Sequence, residues 1–264
     1  MDGLPSISST DLHARLGTAS APIVIDVRRD VPGPSESLIV SAFHCAPDEV
    51  ARGLNLALGR PVVVYCREGH EVSQGVATAL RAAGTEAVYL KDGFAGWTES
   101  GLPTRRNIGV VPGKWVTRER PKIDRIACPW LIRRFIDPGA EFIYVPENQV
   151  LAAAKEIGAT PYDIKGVEFT LEGERCSFDT ILRVYDIKNS ALDHLAEIVR
   201  GADTSRHDLT PQCGGLFAIS LGLSANFPDD HEMLKHGMIL YDALYTWCRS
   251  LQTETHNWPV RVQA

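Results

Sequence analysis

The chain has 264 residues, 44% hydrophobic and 23% charged, with 33 acidic against 27 basic groups and a formal net charge of −6. That mixture excludes wholesale disorder, and the acidic balance argues against general nucleic-acid binding. No apolar run approaches the ~20 residues of a membrane helix, and Met1-Asp2-Gly3-Leu4-Pro5 lacks the basic and apolar regions of a secretory signal. The expectation is a cytoplasmic protein with no membrane partner.

Short apolar runs alternate with helical patterns over the first hundred residues. Residues 22–27, 61–65 and 86–90 read as buried strands of a parallel sheet covered on both faces. Between the last two, Val72, Val76, Leu80 and Ala83 mark one face of an amphipathic helix that Gly84 closes. Past Gly101-Leu102-Pro103 the texture changes. Nine basic residues between Arg105 and Arg134 face only Glu119 and Asp124, and with Gly109, Pro112 and Gly113 they suggest a basic linker over 105–122. It could be a solvated face or an oxyanion-binding surface. Residues 123–264 read as mainly helical. Pro129 suits the first position of a helix over 129–136. Ser190 suits the cap of a helix to Val199, and Thr210-Pro211 the start of another through Leu223. Asp229 and Glu232 suit a capping box for a long last helix through Cys248. Tyr144-Val145 and residues 167–169 are candidate short strands.

The six cysteines stand at 45, 66, 128, 176, 213 and 248, without a CxxC pair. Neither a zinc knuckle nor a thioredoxin motif is present, and in the cytoplasm they are expected to be reduced. Val62-Val63-Val64-Tyr65 runs straight into Cys66-Arg67-Glu68-Gly69-His70-Glu71 and then the helix. A thiol between a strand end and a helix N-terminus faces free amides and the positive end of the dipole, which favour thiolate. Arg67 and His70 add positive charge, and Gly69 lets the amides converge.

These residues resemble a single-domain rhodanese, a sulfurtransferase that carries sulfane sulfur as a cysteine persulfide. Asp26-Val27-Arg28 at a strand end, Gly93-Phe94-Ala95-Gly96-Trp97 and Gly101-Leu102-Pro103 agree with it over about residues 5–104. The resemblance implies an α/β rhodanese-like parallel sheet with flanking helices. Cys66 would be the carrier, with Arg28, Arg67, Glu68, Gly69, His70, Glu71 and Val72 around the substrate. The six-residue loop, with Val72 where a related phosphatase needs arginine, disfavours phosphatase activity. Glu71 departs from the basic or hydroxyl residue common there, and an acid is expected to raise the thiolate pKa and repel thiosulfate. Cys45 is either a resolving thiol or a small core residue.

The second half resembles the C-terminal domain of ChrB-type chromate-resistance proteins, on residues 115–118, 122–132, 173–178, 200–204 and 229–231. Asp124, Arg125, Cys128 and Cys176 are its candidate site residues. Cys128 before Pro129 reads as an N-cap thiol among free amides, and Cys176 before Ser177 as a second. Cys213 and Cys248 read as core. A manganese or iron site is conceivable from Asp124, Glu168, Asp203, Asp230 and His231, although Leu171 stands in a segment where the family often carries histidine. The expected function is persulfide-based sulfur transfer from a sulfane donor to a thiol acceptor, linked to chromate or another tetrahedral oxyanion. The alternative is a non-enzymatic chromate-responsive sensor or regulator using the loop and basic linker. A homodimer is possible on this reading.

Overall fold

The computed structural model describes residues 4–33, 36–51, 59–108 and 113–254. The N-terminal tripeptide of the signal reading and the Gly109 and Pro112 of the linker reading lie outside these residues.

The three expected strands form as Ile23–Asp26 (β2), Val62–Tyr65 (β5) and Ala87–Leu90 (β6). With Ser6–Ile7 (β1) and Phe43–His44 (β4) they make a five-stranded sheet in the order β1-β6-β5-β2-β4, parallel throughout. Strand pleating sends alternate side chains to opposite faces. Ile23, Ile25, Val62, Val64 and Ala87 pack on one side with Val76, Ala77 and Leu80 of Glu71–Ala82 (α3). Gly84, with φ +85°, turns the chain out of this helix, and the Thr85 amide reaches back to the Leu80 carbonyl.

The opposite face of the sheet does not end at the first domain. Val24, Val63, Tyr65 and Leu90 share one continuous core with Leu12 and Leu16, with Trp97 of Gly93–Glu99 (α4), and with Trp130, Phe135 and Tyr245 of the second half. Main-chain bonds cross the seam from Ser41 N to Phe135 O and from Arg106 N to Tyr185 O.

The segment 105–122 is structured where it is described. Thr104–Arg106 (β7) pairs antiparallel with Ser37–Ile39 (β3). Lys114–Arg118 (β8) is the middle strand of a three-stranded parallel sheet, between Glu141–Val145 (β9) and Thr160–Pro161 (β10). Trp115, Val116 and Thr117 are fully buried there, so this part is core and not linker. The arginines of the basic stretch from Arg105 to Arg134 are engaged. Arg118 and Arg125 pair with Asp163, and Arg134 with Asp242. Arg105 and Arg133 donate to the carbonyls of Ala42 and Ala140, and Arg120 to those of Pro228 and Ser224.

The rest is mainly helical: Asp124–Leu131 (α5), Val150–Ile157 (α6), Ser177–Val184 (α7), Ser190–Asp203 (α8), Cys213–Asn226 (α9) and Asp230–Thr246 (α10). Asp229 caps α10 through the amides of His231 and Glu232. Residues 167–169 contribute only a bridge, Phe169 to Tyr162. The helix expected from Pro129 begins five residues earlier, at Asp124, with Pro129 inside it and a wide π turn, Ile132–Ile136, behind it. Among the described residues, no helix is long and apolar enough to cross a membrane.

Candidate active site

In an open parallel sheet, ligands lie beyond the carboxyl ends of strands whose connections run in opposite directions. β2 leads toward β4 on one side and β5 through α3 toward β6 on the other. Cys66, which follows β5, and Val27-Arg28, which follow β2, therefore share one crevice.

Two glycines shape the turn. Gly69 has φ +73°, and a Cβ on it would stand 2.1 Å from the Lys91 carbonyl oxygen. Gly93 has φ +56°, and a Cβ there would stand 2.5 Å from the Gly69 nitrogen. This approach lets the amides of Phe94 and Ala95 donate to the carbonyls of Cys66 and Arg67, at 2.9 and 2.8 Å. Peptide planarity turns the Glu68 N–H to the side opposite the Arg67 carbonyl, toward the sulfur.

The Cys66 thiol is buried, at 7% exposure, on the α3 side of the sheet. Burial pushes its pKa up. The Ser73 hydroxyl, 3.2 Å from the sulfur, and the backbone N–H groups of Ser73, Glu68 and His70 outweigh that, and the thiol is held below its ordinary value. Glu71 is exposed at the first position of α3 and does not produce the expected upward shift, because short hydrogen bonds to the sulfur dominate. Ser73 escaped the sequence reading. Its signal was a hydroxyl at the third helical position, where a side chain can turn back onto the loop its helix closes.

Arg28 is fixed by the fully buried Asp26, donating from Nε at 3.0 and 2.9 Å and from Nη2 at 2.6 Å. Its guanidinium also lies 4.5 Å over the Phe94 ring. Arg67, Glu68 and His70 are exposed, with His70 Nδ1 3.6 Å from Glu68. Arg28, Arg67, Glu68, His70 and Val72 line a cleft of about 260 Å³ that opens on Cys66.

Cys45 does not fit a resolving role. Its amide bonds Asp26 O, as the Val27 amide bonds Tyr65 O, so Cys45 and Cys66 lie two strand spacings apart, about 9–10 Å. A disulfide needs Cα atoms within ~7 Å. Burial and the neighbouring Glu49 push the Cys45 thiol up.

In the second domain the structure brings Asp124, Cys128 and Cys176 together, but not as a thiolate site. Asp124 is buried and accepts from the amides of Ser177 and Phe178, at 2.7 and 3.1 Å, and from the Cys128 thiol at 3.2 Å. It caps α7. Cys128 lies inside α5 instead of at its N-cap, and burial and Asp124 push its thiol well up. Cys176 does hold the N-cap of α7, yet burial and Asp124 push it well up as well. Cys213 and Cys248 are buried, as expected of core residues. Arg125 pairs with Asp163 at 3.3 Å.

Of the metal candidates only Asp124 and Asp203 meet, Asp203 accepting from the Asp124 amide. Asp230 accepts from the Arg120 amide, His231 lies against the Tyr144 ring, and Glu168 and Leu171 are exposed. Among the described residues, no three His, Cys, Asp or Glu side chains stand close enough to hold an ion.

Comparison with known proteins agrees with both halves. The profile described as Rhodanese-like domain matches residues 8–100, and that described as ChrB, C-terminal domain, matches residues 115–248. The chain is 28% identical over 160 residues to Protein ChrB of Cupriavidus metallidurans, which covers 60% of this chain and 48% of that protein. It thus spans about half the length of that relative. Solved structures similar to the first half include the rhodanese-like domain of an Anabaena protein, at 28% identity and a TM-score of 0.34, covering 39% of this chain and 79% of that one. Another is a rhodanese-like domain protein from Staphylococcus aureus, at 26% identity and a TM-score of 0.31, covering 36% and 91%. Because the second-half profile takes in half of the chain, this protein belongs to the ChrB C-terminal domain family, and it carries that domain behind a rhodanese-like one.

Proposed function

We propose that this chromate-resistance-associated protein is a sulfurtransferase whose carrier is Cys66. The observation that supports the reading is a thiol held below its ordinary pKa by Ser73 and three backbone amides, at the floor of an open cleft. The Cys66 thiolate attacks the outer sulfur of a sulfane donor R–S–SH. A new S–S bond forms, the donor's S–S bond breaks, and its electron pair leaves on R–S⁻. The proton stays on the transferred sulfur, so the persulfide is neutral, and the same amides stabilise the Cys66 thiolate again as the leaving group of the second step. A thiolate acceptor then attacks the outer sulfur and restores Cys66.

The test is mass spectrometry of the full chain after incubation with a sulfane donor. A +32 Da adduct on Cys66, lost on adding a thiol and absent in Cys66→Ala, is the expected result. Full sulfur transfer by Cys66→Ala would overturn the carrier role. Chromate binding by a protein that forms no adduct with any donor would select the sensor reading instead.

A further inference from the structure

The charge around the Cys66 cleft bears on which donor enters it, and the inference rests on the transfer reading above. Among the described residues, three guanidinium groups line the cleft, but they are not equivalent. Arg28 is committed to Asp26, with its side chain only 11% exposed. Arg29 and Arg67 are left at the surface. Against them stand Asp30, Glu36 and Glu68 on the same cleft, and Glu71 on its second opening beside Arg29 and His70. All four carboxylates belong to exposed residues. Among the described residues, the mouth therefore carries more negative than positive charge once the Asp26–Arg28 pair is set aside. A compact dianion such as thiosulfate approaches against that field. A neutral donor with no charged groups would leave the two arginines and four carboxylates unused.

We propose that the donor is an organic persulfide carrying an ammonium group beside its carboxylate, as amino-acid and small-peptide persulfides do. The ammonium is received by the carboxylates at the mouth and the carboxylate by Arg29 or Arg67, while the sulfane sulfur reaches Cys66. The transfer is the one already written: Cys66–S⁻ attacks the terminal sulfur, the donor's S–S bond breaks, and the proton stays on the transferred sulfur. In this arrangement Asp30, Glu68 and Glu71 set donor preference, and the loop amides set reactivity.

The test compares cysteine persulfide, N-acetylcysteine persulfide and thiosulfate on the full-length protein. The first two share the carboxylate and the persulfide, and acetylation replaces the ammonium of the first by a neutral amide in the second. The expected result is a kcat/KM for cysteine persulfide about tenfold or more above that for its acetylated counterpart, with thiosulfate lower still. The preference should shrink in high salt and in the double variant Asp30→Asn, Glu71→Gln, both exposed positions. Equal or faster transfer from N-acetylcysteine persulfide, with the +32 Da adduct present on Cys66, would overturn the donor preference and leave the carrier role standing. Absence of the adduct with all three donors would overturn the carrier role itself, and the preference with it.

Discussion

The Ser73 hydroxyl stands 3.2 Å from the Cys66 sulfur and donates to the His70 carbonyl at 3.1 Å. A hydroxyl has one proton to give. With the thiol neutral, S–H donates to Ser73, which donates to His70. With the thiolate formed, the hydroxyl turns to the sulfur, and its bond to His70 is released. Ser73 thus stabilises whichever state Cys66 adopts, and more strongly the charged one.

Ser73→Ala should raise the pH midpoint of Cys66 alkylation. Below the parent's midpoint the alkylation rate should fall by roughly tenfold for each unit of that rise, and recover at high pH. An unchanged midpoint, read from iodoacetamide rates across pH 5–10, would remove Ser73 from the thiolate's support.

Gly69→Ala should destabilise the fold by roughly 1–3 kcal/mol from backbone strain at φ +73° alone. The overlap with the Lys91 carbonyl adds to this, because that oxygen cannot move without shifting the turn that carries Gly93. Urea denaturation checks the stability. A circular dichroism spectrum of the native state with a raised alkylation midpoint would show that the loop, and not the whole sheet, has shifted.

Asp203 is an exposed residue, yet the loss of water around its carboxyl and then the neighbouring Asp163 raise its pKa to about 6. A carboxyl whose folded pKa lies above its unfolded value binds its proton more tightly when folded. Its stabilising contribution is complete below about pH 4 and is lost as pH rises through 6. Asp203→Asn keeps an oxygen that can accept from the Asp124 amide. The variant should exceed the parent in unfolding free energy at pH 8, by on the order of 1 kcal/mol after solvent screening. The difference should close toward pH 4. A constant deficit at every pH would contradict it.

Gly17, at φ +76°, lies where a Cβ would come within 2.5 Å of the Tyr245 ring and 2.8 Å of Phe135. Gly17→Ala should therefore strain the seam between the two halves. Parent protein should unfold in one calorimetric transition. The variant should unfold at lower temperature with a broader or divided peak. Two separate transitions in the parent would mean the halves are energetically independent.

The first half was legible because its signals are local. Val62–Tyr65, the glycine at 69 and the helix face from Val72 to Ala83 each lie within a few residues of the thing they determine. The loop's hydrogen-bond partners were less so, since Phe94 and Ala95 come from another turn. The second half hid its helix starts. Ile123, at the N-cap of α5, has φ +32° and no capping side chain, and the Asp124 amide is instead received by Asp203. The amides of α7 are received by Asp124. When the cap comes from a distant element, no spacing rule can find it, and Pro129 then reads as a beginning when it is an interior residue. The cysteines followed the same logic. Cys128 and Cys176 sit beside helix amides, but Asp124 already occupies these, and burial pushes its carboxyl and both thiols toward their neutral forms.

The apolar layer under Val24, Val63 and Leu90 is shared with Trp130 and Phe135. A first half cut away at the apparent boundary would bring an oily underside into water. The two parts are thus better regarded as one machine with a common chassis than as cargo and vehicle. Transplanting the reactive loop to another host would require carrying its far-side cover along.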